Sequence, residues 1–438
     1  MPDRVPFAHP WSEDTIGSKA EVTVGGTPST TVARYWGGHV PWMSSGDVHL
    51  RRISDVSGRI TGAGLRASAA KMVEPPAVAI ALAGQGKTRG TAALTEIALC
   101  TNQSVALITP RDDELDALYL YYALDYRYEE LRARSAGGGR AGLTKQIVQN
   151  VPVPLPHPNE QSHIAEILNT LDATIRETEA VVAKLRQVKA GLLHDLLTRG
   201  LDEHGQLRDP ARHPEQFKDS PLGRIPKEWT AEPLGAQITG IEAGHSPSCP
   251  GFAASPGEWG VLKVSAVTHE GFVPTENKRI ENMHSVDQAC QVKIGDLLIT
   301  RCNTPELVGA ACLVDQTPPC LMLCDKTLRL LVNPKRDELR FLVQALQMPN
   351  VRWQIEISAT GSSGSMKNIS QEDIRGYIVP RPSVDEQRRI SRRADALLAR
   401  IAAEQDQHSK LNSLKRGLAH DLLTGRVRVN PFNPVDKS

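Results

Sequence analysis

The string Gly191-Leu-Leu-His-Asp-Leu-Leu-Thr198 recurs 226 residues later as Gly417-Leu-Ala-His-Asp-Leu-Leu-Thr424. The same offset carries Glu160-Gln161 onto Glu386-Gln387, Ile164 onto Ile390, Val153-Pro154 onto Val379-Pro380 and Pro156 onto Pro382. Aligned without a gap, residues 143–200 and 369–426 share 19 identities in 58 positions. One register kept over that length marks an internal duplication, and a duplication dictates architecture before any local motif does. The order along the 438 residues is variable block, repeat, variable block, repeat.

Each repeat has a readable structure. Pro152, Pro154, Pro156 and Pro158 force an extended entry and stop any helix before them. From Glu160 to Thr198, apolar residues at Ile164, Leu168, Leu171, Ile175, Val182, Leu185, Leu192 and Leu196 are spaced by alternating fours and threes. That is the seam of a coiled coil. The second copy repeats it with Ile390, Ala394, Leu397, Ile401, Leu411, Leu418 and Leu422. Thr178, Lys189, Glu404, His408 and Lys415 interrupt the seams, so neither helix is a self-sufficient zipper. Thirty-nine helical residues make a rod of about 58 Å.

The blocks, 1–142 and 219–368, read as short strands and helices with many Gly and Pro turns, such as Val105-Ala-Leu-Ile108 and Asp296-Leu-Leu-Ile299. Each ends in a Gly-rich loop, Ser135–Arg140 and Gly361–Lys367, and otherwise the two are only faintly alike. A polar linker, 200–218, separates the halves, and 428–438 is a tail. The N-terminal residues lack the apolar core of a secretion signal, and no apolar run approaches a membrane-spanning length, which points to a cytoplasmic protein. Seven Cys, an odd number, fit reduced thiols. Cys320 and Cys324 form a lone CxxxC, so the expectation is small buried side chains and no metal.

Two sets of residues invite a catalytic reading. Ala81-Leu-Ala-Gly-Gln-Gly-Lys-Thr88 fits a relaxed phosphate-loop pattern, with Val78-Ala-Ile80 as its strand. A true phosphate loop needs a helix directly after it, and Arg89-Gly90 is a poor helix start. The sequence also lacks a metal-binding Asp on a downstream strand. The plainer reading is a flexed loop presenting Gln85, Lys87 and Arg89. His194 and His420, each followed by Asp, sit near helix ends, where packing or a cation at the C-terminus accounts for them. No metalloprotease, hydrolase or amino-methyltransferase motif is present, and the chain reads as non-catalytic.

Two divergent blocks, each followed by a Pro segment, a Glu-Gln pair and a long helix, resemble the specificity subunit of type I restriction–modification systems. The matches are Leu143-Thr-Lys145, Val151–Pro156 with Glu160-Gln161, Gly191–Thr198 and Phe217–Trp229, with Gly25-Gly-Thr-Pro-Ser29, Tyr35-Trp36, Pro41-Trp42 and Asn102-Gln103 in block one. Block two departs from the pattern in lacking the Gly-Gly-Thr-Pro and Tyr-Trp strings. The resemblance implies an α+β fold: two mixed α/β target recognition domains joined by two long antiparallel coiled-coil helices, with an internal pseudo-twofold duplication. Each domain would read one half of a bipartite, asymmetric sequence in double-stranded DNA. The helices would set the spacing and dock two adenine methyltransferase subunits. S-adenosylmethionine, ATP and Mg²⁺ would belong to those subunits and to the restriction and translocase subunits, with no cofactor in this chain.

Base edges are read by Arg, Lys, Asn and Gln side chains, while hydroxyl and backbone contacts fix register. The candidates are Ser44, Ser45, Gln85, Lys87, Arg89 and Arg140 in block one, and Lys263, Ser265, Arg301, Asn303, Lys326 and Lys367 in block two. Two alternatives stay open: a phosphate-loop NTPase using 81–88, and a DNA-independent coiled-coil scaffold. The formal charge of +1 excludes a strong solitary DNA binder, since neither block is basic. It leaves room for a subunit whose DNA affinity depends on assembly.

Overall fold

The computed structural model of the chain describes residues 11–134, 142–361 and 365–429. The chain divides into two compact units, Met1–Ala180 with Gln405–Ser438, and Val181–Glu404. Each unit therefore holds one variable block and half of each long helix. Among the described residues, no helix is long and apolar enough to cross a membrane.

In unit one, strands Ala20–Val24, Val105–Pro110, Ala77–Ala81, Ala92–Thr95 and Arg52–Ile53 form a sheet in that order. Ala77–Ala81 is buried at every position, as a continuous apolar run in the middle of a sheet should be. A smaller sheet places Trp36–Met43 between Arg59–Ile60, antiparallel, and Cys100–Thr101, parallel. The Pro segment of the repeat is extended, as expected: Pro152–Leu155 pairs antiparallel with Ser12–Thr15 in a two-stranded ribbon, where Pro is tolerated at an edge. The first long helix, Pro158–Thr198, starts two residues before Glu160, because Pro at a first helical position gives up no hydrogen bond.

Unit two repeats this plan. Its sheet runs Ile238–Ala243, Thr327–Val332, Leu297–Thr300, Ala311–Leu313, the order of the first four strands of unit one. Its smaller sheet again centres on a strand, Gly260–Leu262, antiparallel to Asn277–Arg279 and parallel to Leu321–Met322. Thr230–Pro233 pairs with Ile378–Arg381 as Ser12–Thr15 pairs with Pro152–Leu155. Thr144 and Ser370 cap the short helices Lys145–Gln149 and Gln371–Gly376 with their side-chain oxygens. The blocks, faintly alike in sequence, are two copies of one fold.

The phosphate-loop alternative ends here. Strand Ala77–Ala81 does precede the glycines, but the next element is strand Ala92–Thr95. Backbone bonds Ala81 N–H to Thr91 O (3.1 Å) and Gly90 N–H to Ala81 O (2.9 Å) close a hairpin. No helix N-terminus is available there to meet a phosphate.

Each unit's core joins block to helix. Ile164 and Leu168 from the first long helix, and Leu422 and Leu423 from the second (Val384–Leu423), pack with Tyr119, Leu120 and Leu124 in unit one. Leu196, Leu197 and Ile390 pack with Phe341, Leu342 and Trp229 in unit two. Along the seams Ile164, Leu168, Ile175, Val182, Leu185, Leu196, Ile390, Ala394, Ile401 and Leu422 are buried. Leu171, Leu192, Leu397, Leu411 and Leu418 are half-buried. Within unit one the helix segments run antiparallel: Asp172 pairs with Lys415 at 2.6 Å and Glu179 with His408 at 2.9 Å. His408 and Lys415, two of the residues that break the seams, are thus partnered across it, and the Thr178 hydroxyl bonds the Thr174 carbonyl of its own helix at 2.9 Å.

Candidate nucleic-acid interface

The recurring Glu-Gln pair organises each unit. Gln161 is fully buried; its Oε1 accepts from the Asp116 N–H at 2.9 Å, and its Nε2 donates to the Glu114 and Pro156 carbonyls. Gln387 does the same with the Glu338 N–H at 2.7 Å and the Pro382 carbonyl at 3.1 Å. Asp116 and Glu338 are the caps of helices Ala117–Tyr126 and Leu339–Leu346. The glutamine therefore ties the block's first substantial helix to the repeat. The glutamate beside it takes an arginine from the segment after the other long helix: Glu160 receives Arg428 through two bonds of 2.7 Å. Glu386 receives Arg208 Nη1 at 2.7 Å and the Leu201 N–H at 2.8 Å.

On this frame the motif residues of block one converge. A Cβ on Gly25 would lie 1.9 Å from the Thr101 carbonyl oxygen, so only glycine lets the two backbones approach this closely. Trp42 Nε1 donates to the Gly26 carbonyl at 3.0 Å and Trp36 Nε1 to the Ser29 carbonyl at 3.1 Å. The two indoles meet edge-to-face at 5.2 Å, and Thr27 donates to Gln103 Oε1 at 2.5 Å. Strings far apart in sequence thus form one cluster joining the two sheets.

Block two has the same joint in altered letters. A Cβ on Gly244 would lie 2.0 Å from the Leu323 carbonyl oxygen, and Ser246 donates to Asp325. Gly244-His-Ser-Pro247 therefore stands where block one has Gly25-Gly-Thr-Pro28. Block two lacks the Gly-Gly-Thr-Pro string, as expected, yet keeps its place in the fold with only the first Gly, the hydroxyl and the Pro in common. A pattern with Ser or Thr at the third place would have found it.

The hairpin tip is the next shared feature. Residues 82–89 and 301–308 are hairpin connections of equal length, the second containing the short strand Cys302–Asn303, and they are closed by Gly90 (φ +84) and Gly309 (φ +70). Leu82 N–H bonds Ser104 O and Leu143 N–H bonds Leu82 O; Arg301 N–H bonds Lys326 O and Ile369 N–H bonds Arg301 O. The loops differ in side chains. Gln85 and Lys87 are exposed on the first, whereas Thr304 and Glu306 hold those places on the second. Arg89 is half-buried at the base of the first loop. His49 Nε2 meets the Thr88 hydroxyl at 3.0 Å, and the Tyr128 hydroxyl donates to the Lys87 carbonyl at 3.0 Å while accepting from Arg132 at 2.7 Å. His49, Tyr128 and Arg132 escaped sequence reading; the only signal was the four-residue spacing of Tyr128 and Arg132 just before the Gly-rich loop.

The remaining candidates sort by environment. Ser44 caps the 3-10 turn Ser45–Leu50, its N–H and hydroxyl both donating to Asp47, and Ser45 is half-buried beside it. Arg140 lies outside the described residues. In block two, Arg301, Lys326 and Lys367 are half-buried and brought together by the Arg301–Lys326 backbone bond and the pairing of Cys302–Asn303 with Lys367–Asn368. Asn303 is 4% exposed; its amide donates to the Val264 carbonyl at 3.3 Å and its Oδ1 accepts from Thr304. That asparagine holds the loop and faces inward. Lys263 (3.7 Å) and Ser265 (2.5 Å) both engage Glu276, and chiefly the Ser265 hydroxyl holds that carboxyl below its ordinary range. All seven cysteines are unpaired thiols.

Residues 9–187 match the family model described as the type I restriction modification DNA specificity domain. The chain is 25% identical over 325 residues to the type I restriction enzyme MjaVIII specificity subunit of Methanocaldococcus jannaschii, covering 73% of this chain and 72% of that one. It is 30% identical over 184 residues to the EcoEI specificity subunit of Escherichia coli, 42% of this chain and 31% of the relative. Its fold is similar to the crystal structure of a type I restriction-modification system S subunit from M. genitalium, with a TM-score of 0.60, 15% identity, and coverage of 96% and 98%.

Proposed function

We propose, from the premise that residues 9–187 are a type I restriction–modification specificity domain and the whole chain a relative of the specificity subunits, that this chain is the address-giving subunit of such a complex. Each unit reads one half of a bipartite, asymmetric target in double-stranded DNA. Two adenine methyltransferase subunits dock on the chain and methylate N6 using S-adenosylmethionine, and restriction subunits add ATP- and Mg²⁺-dependent translocation and cleavage. The chain itself supplies no catalytic group, and the assembly works in the cytoplasm.

One observation carries this reading: two copies of one scaffold present loops of equal length with different side chains, Gln85 and Lys87 against Thr304 and Glu306. Equal frames with unequal reading edges are what an asymmetric two-part target requires, because sequence is read at base edges while the frame fixes position. The spacing of the half-sites follows the long helices. At 41 residues the first is about 62 Å long, more than one 34–36 Å turn of DNA. The hairpin tip and the Arg301–Lys326–Lys367 group are the reading residues, with Tyr128 and Arg132 behind Lys87.

Co-expression with its methyltransferase followed by methylome sequencing tests the proposal. N6-methyladenine is expected in one bipartite motif. Exchanging block one for another is expected to change one half of that motif only. An intact complex that leaves the genome unmethylated would favour the scaffold alternative and end this reading.

A further inference from the structure

The two units differ sharply at one equivalent junction, where a long helix meets the block's first substantial helix. In unit one Tyr126 closes it: the phenol oxygen lies 2.7 Å from Nδ1 of His420. One turn earlier Tyr122 donates to Asp172 at 3.0 Å, and Lys415 reaches the same carboxylate at 2.6 Å. Aligning the helices by their caps and by the repeat places His194 at His420, Lys189 at Lys415, Leu398 at Asp172, Gln344 at Tyr122 and Met348 at Tyr126.

The second set leaves a hole. Leu193, His194, Gln344, Gln347, Met348 and Pro349 line a cavity of about 230 Å³ in unit two. Gln344 is 8% exposed, and its buried Oε1 has no hydrogen-bond partner. No described residue bonds the His194 ring or pairs with Lys189. A buried polar atom without a partner is destabilising, and an apolar cavity of roughly 150 Å³ already holds a benzene ring. The space is large enough for one aromatic ring, and its polar rim has unused bonding capacity.

Unit one shows what fits. The same backbone frame and the same histidine there surround a phenol whose hydroxyl meets the imidazole. We propose that the unit-two cavity is a receptor for a tyrosine side chain carried by a partner protein, the ring entering beside Met348 and the hydroxyl bonding to His194. The receptor is a property of this chain and does not depend on its reading of DNA.

Titration of the full chain with p-cresol, followed by saturation-transfer NMR, tests this. p-Cresol should bind saturably, toluene at least fivefold more weakly, and His194→Phe should erase that preference. Met348→Tyr should fill the site from within and abolish p-cresol binding. Failure of p-cresol to saturate, equal binding of toluene, or p-cresol binding retained in Met348→Tyr would each overturn the receptor. Should Met348→Tyr not fold, the toluene comparison and His194→Phe decide alone. A final arm rests on the methyltransferase partner proposed above: p-cresol binding should be lost in that complex, and undiminished binding would overturn the assignment of the occupant. Absence of a complex would count against the proposed function and leave the other arms standing.

Discussion

Glu160 and Glu386 are the same residue in two copies of the repeat, and both are buried, yet they hold their arginines differently. Arg208, against Glu386, keeps 9% of its side-chain surface, whereas Arg428, against Glu160, keeps 38% and lies 5.6 Å over the Trp11 ring. Glu386 also accepts the Leu201 N–H. The Arg208 latch is nearly closed, opening only toward the exposed Glu228 at 3.1 Å, and the Arg428 latch has solvent access. A duplicated scaffold thus need not divide its stability evenly, because the cost of losing a charge depends on whether water can replace the partner.

The largest test of that difference is Glu386→Ala, which leaves Arg208 with only the exposed Glu228 as a charged partner at 3.1 Å and the Leu201 N–H without its acceptor, and is expected to cost about 2–4 kcal/mol in urea denaturation. Glu160→Ala should cost about 1–2 kcal/mol, because Arg428 can be hydrated. Equal losses would break the comparison. The glycines behind the latches sharpen it. Gly200 and Gly425 both have left-handed φ, +64 and +71. A Cβ on Gly200 would meet Glu386 Oε1 at 2.4 Å and Trp229 at 2.5 Å, whereas one on Gly425 meets Trp11 at 3.2 Å. Gly200→Ala should therefore lose about 2–4 kcal/mol and Gly425→Ala about 1–2 kcal/mol, read as midpoint shifts.

Acid distinguishes the units by sign. In unit one, hydrogen bonds from Arg127, ahead of those from Arg134, pull the Glu130 carboxyl from its ordinary 4.5 to about 2. Its contribution is complete above about pH 4.5 and is lost as pH falls toward 2. In unit two, burial pushes Asp337 above its ordinary 3.8, so lowering the pH through that raised value favours the folded state. Denaturation at pH 7, 5 and 4 should show Glu130→Gln with a weaker acid loss than the parent and Asp337→Asn with a steeper one. The smallest effect belongs to the half-exposed His408–Glu179 pair. His408→Gln should shift stability by less than about 0.5 kcal/mol at pH 7.

Much of this molecule was legible before its structure. The duplication, the extended Pro segments and the helix seams follow from local periodicity, which needs no knowledge of distant contacts. The roles of Glu160 and Glu386 were not legible. Their arginines lie 268 residues ahead and 178 behind, and no local rule pairs charges at such distances. The likeness of the blocks was hidden for another reason. Equivalent residues are 218 apart at Trp11 and Trp229, 219 at Gly25 and Gly244, 222 at Thr101 and Leu323, and 226 at Thr144 and Ser370. Small insertions within loops move the offset repeatedly, so a gapless comparison sees only the repeat. Among the candidate readers, exposure sorted what residue type had lumped together: Lys87 points to solvent, and Asn303 is walled in.

Arg428 over Trp11 has a consequence for the gene. The segment after the second long helix lies against the start of block one, as the linker Gly200–Arg208 lies against Trp229. A short bridge from the tail to Trp11 would recreate that linker, and a cut within 202–216 would then release new termini from a turn-rich stretch. The permuted reading frame would begin with block two and end with the first long helix, yet encode every contact described above. The order of the blocks along the chain is then immaterial to those contacts.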